Sequence, residues 1–511
     1  MSVDRNHNIL DHGKDKTELL QKELMWINAL NTAYPFGKIK GNRKIFNYSN
    51  MKINKMSRNI SQLHEDFVIT MVDKASGNYA FTCKKLYLEF MEKELNTNQN
   101  GDRTYVIKNK FDSSTLITNH EKFTRSFALV PLSDGSLPKI YGIPKMHKVP
   151  IKFRFITGAH NSTLKPLSIE LQKILRFLHG HFRRYCTSIT SHDKINRFFS
   201  IQNTFKVVHQ LSTIQNRKHE IFCADFSSLF TNLPHAVVRQ KLNFLFDLLF
   251  KNAGSEYLVV QGNNVRYDRN NSNIYGRSYH KNDLKGILDF ILKNSFAYYG
   301  GNLYQQQRGI PQGNNASPQI ADLTLAVMEF QYIKDHIKIG HPLSLSLTRT
   351  FRYIDDLFHI STNKDDFVRM TSEMYHHSLT LEQTNSLPTE SAFLDLSIII
   401  TSHGTVQTSL YNKTDDYSFS VIRYPHYNSN VPIAMGLNTF HGEVLRIFRN
   451  CSAFKHFLER TRQLITYFIY IKYPKEIIFS RLYRTLNKIP TISLKYDRTN
   501  CEICSHVTQK I

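Results

Sequence analysis

Leu347–Ser361, LTRTFRYIDDLFHIS, reads as two short β runs, Leu347–Ile354 and Leu357–Ser361, folded back on each other at Asp355-Asp356. A polar pair between two apolar, β-branched runs is where a hairpin turns. Such an acidic turn is common in purely structural hairpins, and the match is short on its own. A second acid, Asp225, closes another apolar run, Glu220–Phe226 (EIFCADF), of the kind expected for a buried central strand. Carboxylates from neighbouring strands are what phosphoryl-transfer chemistry needs. Two Mg²⁺ ions about 3.5–4 Å apart then clamp the attacking and leaving oxygens. Hard oxygen ligands suit Mg²⁺, which binds through one or two carboxylates and the phosphates of its substrate.

The surroundings of these acids extend the pattern. Phe296–Tyr299 and Asn302–Gln306 flank Gly300-Gly301 and read as a hairpin. Gly309-Ile310-Pro311-Gln312-Gly313 follows it and leads into the strongest helical stretch, residues 317–335, opened by Ser317-Pro318. A glycine-containing turn that enters a helix lets backbone come close to a phosphate-bearing ligand. Lys152-Phe153-Arg154-Phe155-Ile156 alternates basic and apolar residues along a β ribbon, where Arg154 could fork onto a triphosphate; a solvated basic face is the plainer reading of the same ribbon.

Composition sets the class of partner. The 511 residues carry a formal charge of +24, with 41% hydrophobic and 12% aromatic residues. That composition excludes a mainly disordered chain, and the charge points to a polyanion such as nucleic acid. The longest apolar run, Leu464–Ile471, stops at Lys472, short of the roughly 18 residues a membrane span needs. No apolar stretch follows the first charged residues, so no secretory leader is expected. Six mostly isolated cysteines fit a reduced, intracellular protein.

The chain divides into a basic N-terminal extension (1–60), a mixed block (61–215), a central sheet split by helices (216–402, with an insertion at about 236–295), a helical region (403–490) and a tail (491–511). Within the mixed block, Leu167–Phe182 and His192–Phe205 carry helical patterns, and Gly442–Tyr473 is the main helical run near the end. The extension holds one amphipathic stretch, Thr17–Leu30, with the sole Trp, and an irregular connector, Asn31–Ser57.

Taken together, these motifs resemble a reverse transcriptase over roughly residues 66–480. Asp225-Phe226-Ser227-Ser228-Leu229-Phe230 is similar to the family's first palm motif, Gly309–Pro318 to its second, and Tyr353–Asp356 to its metal box. Val72-Asp73-Lys74, Leu137–Lys148, Phe222–Pro234, Phe393-Leu394-Asp395-Leu396 and Trp26–Gly37 further resemble the Penelope-like retroelement group, relatives of telomerase. The resemblance implies an α+β right-hand polymerase, with fingers at 61–215, palm at 216–402 and thumb at 403–490. It implies RNA-directed DNA synthesis with two Mg²⁺ ions, for which Mn²⁺ can substitute. Asp225 and Asp355 would bind the metals with Asp356 in support. Phe230 would lie under the incoming sugar, Gln312 against the nucleotide, and Arg154, Lys152 and Lys74 at its phosphates. The partners implied are an RNA template, a DNA primer or nicked DNA end, and dNTPs; the place implied is the nucleus, or else the cytoplasm.

Departures from the pattern matter too. Leu379–Asn385 lacks the lysine that often protonates the leaving pyrophosphate, so the proton donor is unassigned, and Asn314-Asn315-Ala316 replaces a run of small residues. Neither a ribonuclease H segment nor an upstream nuclease motif stands out, which leaves strand cutting to a separate endonuclease module or to pre-existing nicks and ends. In the thumb, Arg446, Arg449 and Lys455 could follow a duplex backbone, or simply form the wet face of a core helix. Cys501, Cys504 and His506 make half a zinc site; with the tetrahedron incomplete, a tail without structure or a truncated finger is expected instead of bound zinc. Two rival readings stay open. One is an RNA-dependent RNA polymerase, against which Phe230 and Tyr353-Ile354 argue; the other is an inactive, polymerase-derived RNA-binding protein, against which the retained acids argue.

Overall fold

In a computed structural model, which describes residues 63–509 apart from 64, 97, 100–101, 149, 217, 270–274 and 418–420, the run Glu220–Ser227 is strand β1. Its neighbours are β2 (Thr350–Tyr353), β3 (Asp356–Ser361) and β4 (Thr380–Gln383), in the order β2-β3-β1-β4 with every pair antiparallel. Alternation along the strands serves two cores, as the period of two requires. Phe222, Ala224, Phe226 and Leu357 face a large core with helical residues, while Ile221, Cys223, Phe351, Phe358 and Ile360 pack with Val207, Leu211, Phe393 and Leu396. The 320–333 stretch is buried almost throughout, which explains why its apolar residues run round the whole helix.

The chain forms two units. The second comprises Met91–Tyr141 and Phe155–Val406 and holds the sheet just described. Its helices include α1 (Lys165–Asp193), α2 (Leu229–Asn232), α3 (His235–Ala253), α4 (Lys281–Lys293) and α5 (Ser317–His336). Prolines stand at the start of α1 and α5, where the missing N–H is no loss. A second sheet orders Tyr105–Ile107, Asn302–Gln306 and Phe296–Tyr299, the last meeting Lys139. Here the expected Gly300-Gly301 hairpin forms, both glycines at positive φ.

One helical expectation is corrected. His192–Phe205 is not a helix: α1 continues to Asp193, and the chain is irregular up to Thr204. Lys194 ends α1 at φ 62°, and the side chains of Asn196 and Asn203 accept the N–H groups of Phe198 and Phe205. These local side-chain turns compete with the helical ladder.

The first unit comprises the described residues up to Phe90, Gly142–Arg154 and Gln407 onward. Phe67–Val72 and Ala75–Cys83 pair antiparallel across Asp73-Lys74. The helices α6 (Ile433–Asn450), α7 (Phe454–Tyr470) and α8 (Lys475–Leu486) share a core of Phe440, Val444, Ile447, Phe457, Phe468 and Leu482. Complete burial of each such aromatic contributes about 1.5–3 kcal/mol. The run Gly442–Tyr473 is interrupted at Cys451–Ala453, where Thr408 donates from its backbone to Ser452 Oγ and from its hydroxyl to the Asn450 carbonyl.

The tail is helical rather than unstructured. Asn500–Thr508 is opened by a capping box between Thr499 and Glu502, which puts Cys501 at the surface and Cys504 one turn on. No group of three or more His, Cys, Asp or Glu side chains suited to one metal ion occurs among the described residues. None of the described helices is long and apolar enough to cross a membrane. Thr17–Leu30, Asn31–Ser57 and Trp26–Gly37 lie outside the described residues.

Candidate active site

Strand register brings the sequence-distant acids together. Asp356, the first residue of β3, is the direct partner of Asp225 on β1, and Glu382 of β4 is the partner of Asp225 on its other side. Directly opposed residues of antiparallel strands share a face, so three carboxylates line up across the sheet. Asp355 occupies the two-residue turn between Tyr353 and Asp356, and its carbonyl accepts the Phe226 N–H at 3.1 Å. The turn is thus tied to β1 one residue beyond Asp225. Glu382 went unnoticed in the sequence because its place beside Asp225 comes only from pairing.

The turn carries strain. Ile354, its first residue, has φ 53°. A β-branched side chain in that region is a true outlier, and such strain costs of order 1–3 kcal/mol. Behind it lies Arg352, fully buried on β2. Its Nη1 donates to the Ile354 carbonyl at 3.0 Å and to Asp322 Oδ1 at 2.6 Å, while Nε donates to Glu329 Oε1 at 2.5 Å. Burial pushes the Asp322 carboxyl upward, but Arg352, His179 and Ser200 outweigh it and hold it down to about 2. Glu329 is pushed up by burial against the pull of Arg352 and Tyr375. Sequence inspection missed this group. Two acids seven residues apart in an otherwise apolar helix, and an arginine inside an apolar strand run, were its available signals.

The glycine-containing loop is stapled to the first acid's segment. Ser228 takes φ 53° and starts α2, which carries Phe230. The Phe230 carbonyl accepts the Ile310 N–H at 2.5 Å, the Leu233 carbonyl accepts that of Gly309 at 3.0 Å, and His235 Nε2 donates to the Gly309 carbonyl at 2.7 Å. Gly309, at φ 83°, has no room for a side chain: a Cβ would lie 2.4 Å from the Phe230 carbonyl oxygen. Gly313 is confined similarly, its Cβ position 2.2 Å from the Thr157 carbonyl oxygen. Gln312, half-buried, accepts the Thr157 N–H on its own carbonyl at 2.7 Å. Asn314 caps the approach to α5 by accepting the Ala316 N–H at 3.0 Å and the Ser168 hydroxyl. Gly309→Ala is therefore expected to lower stability by about 2 kcal/mol or more through overpacking and positive φ. A thermal melt checks this; a wild-type Tm would contradict the packing.

The structure brings together Asp225, Asp355 and Asp356, and joins Phe230 to the loop that contains Gln312. Lys74, Lys152 and Arg154 belong to the first unit. There Arg154 Nη1 lies 3.3 Å from the buried Asp73, and Lys152 is exposed. Lys74 occupies a positive-φ turn; loss of hydration, then the charges of Lys413 and Arg154, push its ammonium down to about 8. Arg449 and Lys455 are exposed on α6 and α7, while Arg446 is half-buried 3.4 Å from Glu443.

Asp225, Asp356 and Glu382 set oxygen donors on adjacent strands without forming a closed cage of three or more ligands, so an ion held there would rely on one or two carboxylates and the phosphates of its substrate, as Mg²⁺ does.

A family described as the animal helix-turn-helix domain matches residues 423–483, which span α6 to α8. No curated protein matches the chain. Among solved structures, telomerase of Candida albicans in complex with a fragment of telomeric RNA superposes with a TM-score of 0.58 at 13% identity, covering 97% of this chain and 82% of that one. Apo telomerase of Candida tropicalis gives 0.45 at 13% identity over 97% and 80% of the two chains. The Sicinivirus 3Dpol RNA-dependent RNA polymerase gives 0.32 at 11% identity over 55% and 54%. Only the first of these three superpositions is close enough to bear on architecture. With the mixed sheets and helices described above, it establishes an α+β, right-hand polymerase fold.

Proposed function

We propose that this protein is an RNA-directed DNA polymerase of a retroelement, of the Penelope-like group, which adds dNTPs to a primer 3′-OH on an RNA template. The observation that carries the reading is the register of Asp225 with Asp356, with Asp355 in the adjoining turn tied to Phe226. Bound at these carboxylates, two Mg²⁺ ions would supply Lewis-acid stabilisation of the attacking and leaving oxygens. The chain's own residues do the rest. Asp225, Asp355 and Asp356 hold the charge that the ions require. Phe230 forms the floor under the sugar, and Gln312, fixed through its backbone to Thr157, lies against the nucleotide. In the first unit, Arg154, Lys152 and Lys74 are the residues this reading assigns to phosphates.

Arg449 and Lys455, exposed on α6 and α7, offer basic groups to the backbone of a template–primer duplex. The helix-turn-helix match over the same helices supports a nucleic-acid partner for that region, as does the RNA bound by the telomerase of similar fold. A DNA primer or nicked end implies action in the nucleus, with an endonuclease supplied by a separate module.

A primer-extension comparison tests the proposal. One DNA primer is offered on an RNA or a DNA template of the same sequence, with either dNTPs or rNTPs and Mg²⁺. Deoxynucleotide extension on RNA is the expected result. Efficient rNTP use on RNA would favour an RNA-dependent RNA polymerase. No extension on any template would favour an inactive RNA-binding protein.

A further inference from the structure

The buried group around Arg352 is larger than a strand of this kind needs. The guanidinium uses all three of its nitrogens: besides the contacts given above, Nη2 donates to the Asp322 carbonyl at 3.0 Å and to Glu329 Oε2 at 3.3 Å. Asp322 Oδ2 accepts the Ser200 hydroxyl at 2.8 Å and lies 3.1 Å from His179 Nε2. Tyr375 donates to Glu329 Oε1 at 2.9 Å. The backbone of Arg352 is held as well, donating to the Phe199 carbonyl at 2.8 Å and accepting from Ile201 at 2.9 Å. Helix α1, helix α5, strand β2 and the segment after helix 364–374 are thereby joined at one point.

Stability alone does not account for such a group. Buried ion pairs are frequently no better than well-packed apolar residues of the same volume, because taking the charges out of water offsets their attraction. One of these contacts differs from the others in kind. The bond from Nη1 ends on the carbonyl of Ile354, the residue strained at φ 53° directly before Asp355. Fixing that carbonyl fixes the peptide plane joining Ile354 to Asp355, and with it the direction in which the Asp355 backbone sets out. Without this hold an isoleucine would favour the right-handed or extended regions, and the acidic turn would swing.

We propose that Arg352 is the positioning residue of the acidic turn: anchored by Asp322 and Glu329, it holds the strained Ile354 peptide so that Asp355 presents its carboxylate beside Asp225 and Asp356. This inference rests on the reading of those acids as a polymerase centre. It assigns the arginine no contact with substrate. Its effect passes through the turn alone.

The test uses the full chain and measures Tm, kcat, KM for dNTP and the Mg²⁺ concentration giving half-maximal primer extension. Arg352→Lys keeps a charge but cannot reach Ile354, Asp322 and Glu329 together. It is expected to lower kcat about ten- to hundredfold, as a misplacement near 1 Å does, with KM for dNTP within about threefold. Half-maximal Mg²⁺ should rise about threefold or more, because the carboxylates no longer meet the ion at the set spacing. Glycine enters the left-handed region without strain, so adding Ile354→Gly to Arg352→Lys should return about fivefold or more of the lost kcat. A role confined to core stability would not give that rescue. Should Arg352→Lys fail to fold, Asp322→Asn loosens the anchor while keeping the guanidinium, with a smaller change in kcat and half-maximal Mg²⁺ in the same direction.

Wild-type kcat and Mg²⁺ dependence in a folded variant would overturn the proposal. So would a loss that follows the unfolded fraction and is not rescued by Ile354→Gly, or failure of both Arg352→Lys and Asp322→Asn to fold. A wild-type protein that extends no primer would overturn the polymerase reading and this inference with it, whereas an active wild type with equally active variants would overturn this inference alone.

Discussion

Asp355→Asn and Asp225→Asn are each expected to reduce Mg²⁺-dependent primer extension at least about a hundredfold, since each removes ligand charge from the centre proposed to hold two metal ions. The shapes of the two side chains are nearly the same, so packing should survive. The Asp355 carbonyl still accepts the Phe226 N–H, and the buried neighbours of Asp225, Ala224 and Phe226, are untouched. Affinity for an RNA–DNA duplex should stay within about twofold, because the backbone phosphates are met by basic groups and not by these acids. Extension rates and filter binding on the same preparations separate the two effects. Activity in either variant above about a hundredth of wild type would remove that residue from the centre.

Phe230 governs the second large effect. It is half-buried on α2, its ring packs against the large core, and its carbonyl is bonded to the Gly309–Gly313 loop. Read as the floor of the nucleotide pocket, the ring leaves no slack for a 2′-OH, and forcing an extra atom into a packed site typically costs about 1–3 kcal/mol. Phe230→Ala or Phe230→Val should then raise ribonucleotide over deoxynucleotide incorporation by roughly tenfold to a hundredfold. The bonds that staple Gly309 and Ile310 use only the backbone of α2, so the loop should keep its place. If Phe230 is a core aromatic and nothing more, both substrates lose rate together and their ratio holds. The incorporation ratio, not the rate, decides between the two.

Much of the central sheet was readable because its strands are short runs bounded by turn residues: Glu220–Phe226 and Leu357–Ser361 stand as β1 and β3, whereas of Leu347–Ile354 only Thr350–Tyr353 is strand, β2, and Ser346–Arg349 is a 3-10 turn. What pattern reading cannot supply is register. Asp225 and Asp356 are separated by 130 residues, and their direct pairing, like the place of Glu382 on the other side, comes from which strands meet. Asp322 and Glu329 illustrate a different difficulty. In α5 they interrupt an apolar helix and make no sense until Arg352 arrives from a distant strand. Helix boundaries failed where local side-chain turns intervened, at Asn196 and Asn203. The Cys501–Cys504 spacing suggested a partial metal knuckle, but the Thr499–Glu502 capping box wins and makes a helix there. In the second motif, the unusual Asn314 proves to be a local cap for the chain entering α5, a role its side-chain oxygen suits and alanine or glycine lacks the oxygen to fill.

Manganese, which is paramagnetic and substitutes for Mg²⁺, reports on the centre itself. The full chain is assembled with a chain-terminated primer on an RNA template and the next matched dNTP, and bound Mn²⁺ is counted by electron paramagnetic resonance. The carboxylate arrangement predicts about two ions per chain in the wild type and a clear loss of binding when Asp225→Asn and Asp355→Asn are combined. Mn²⁺ binding no greater than that of the free dNTP, and unchanged by the double substitution, would contradict a two-metal polymerase centre at these acids.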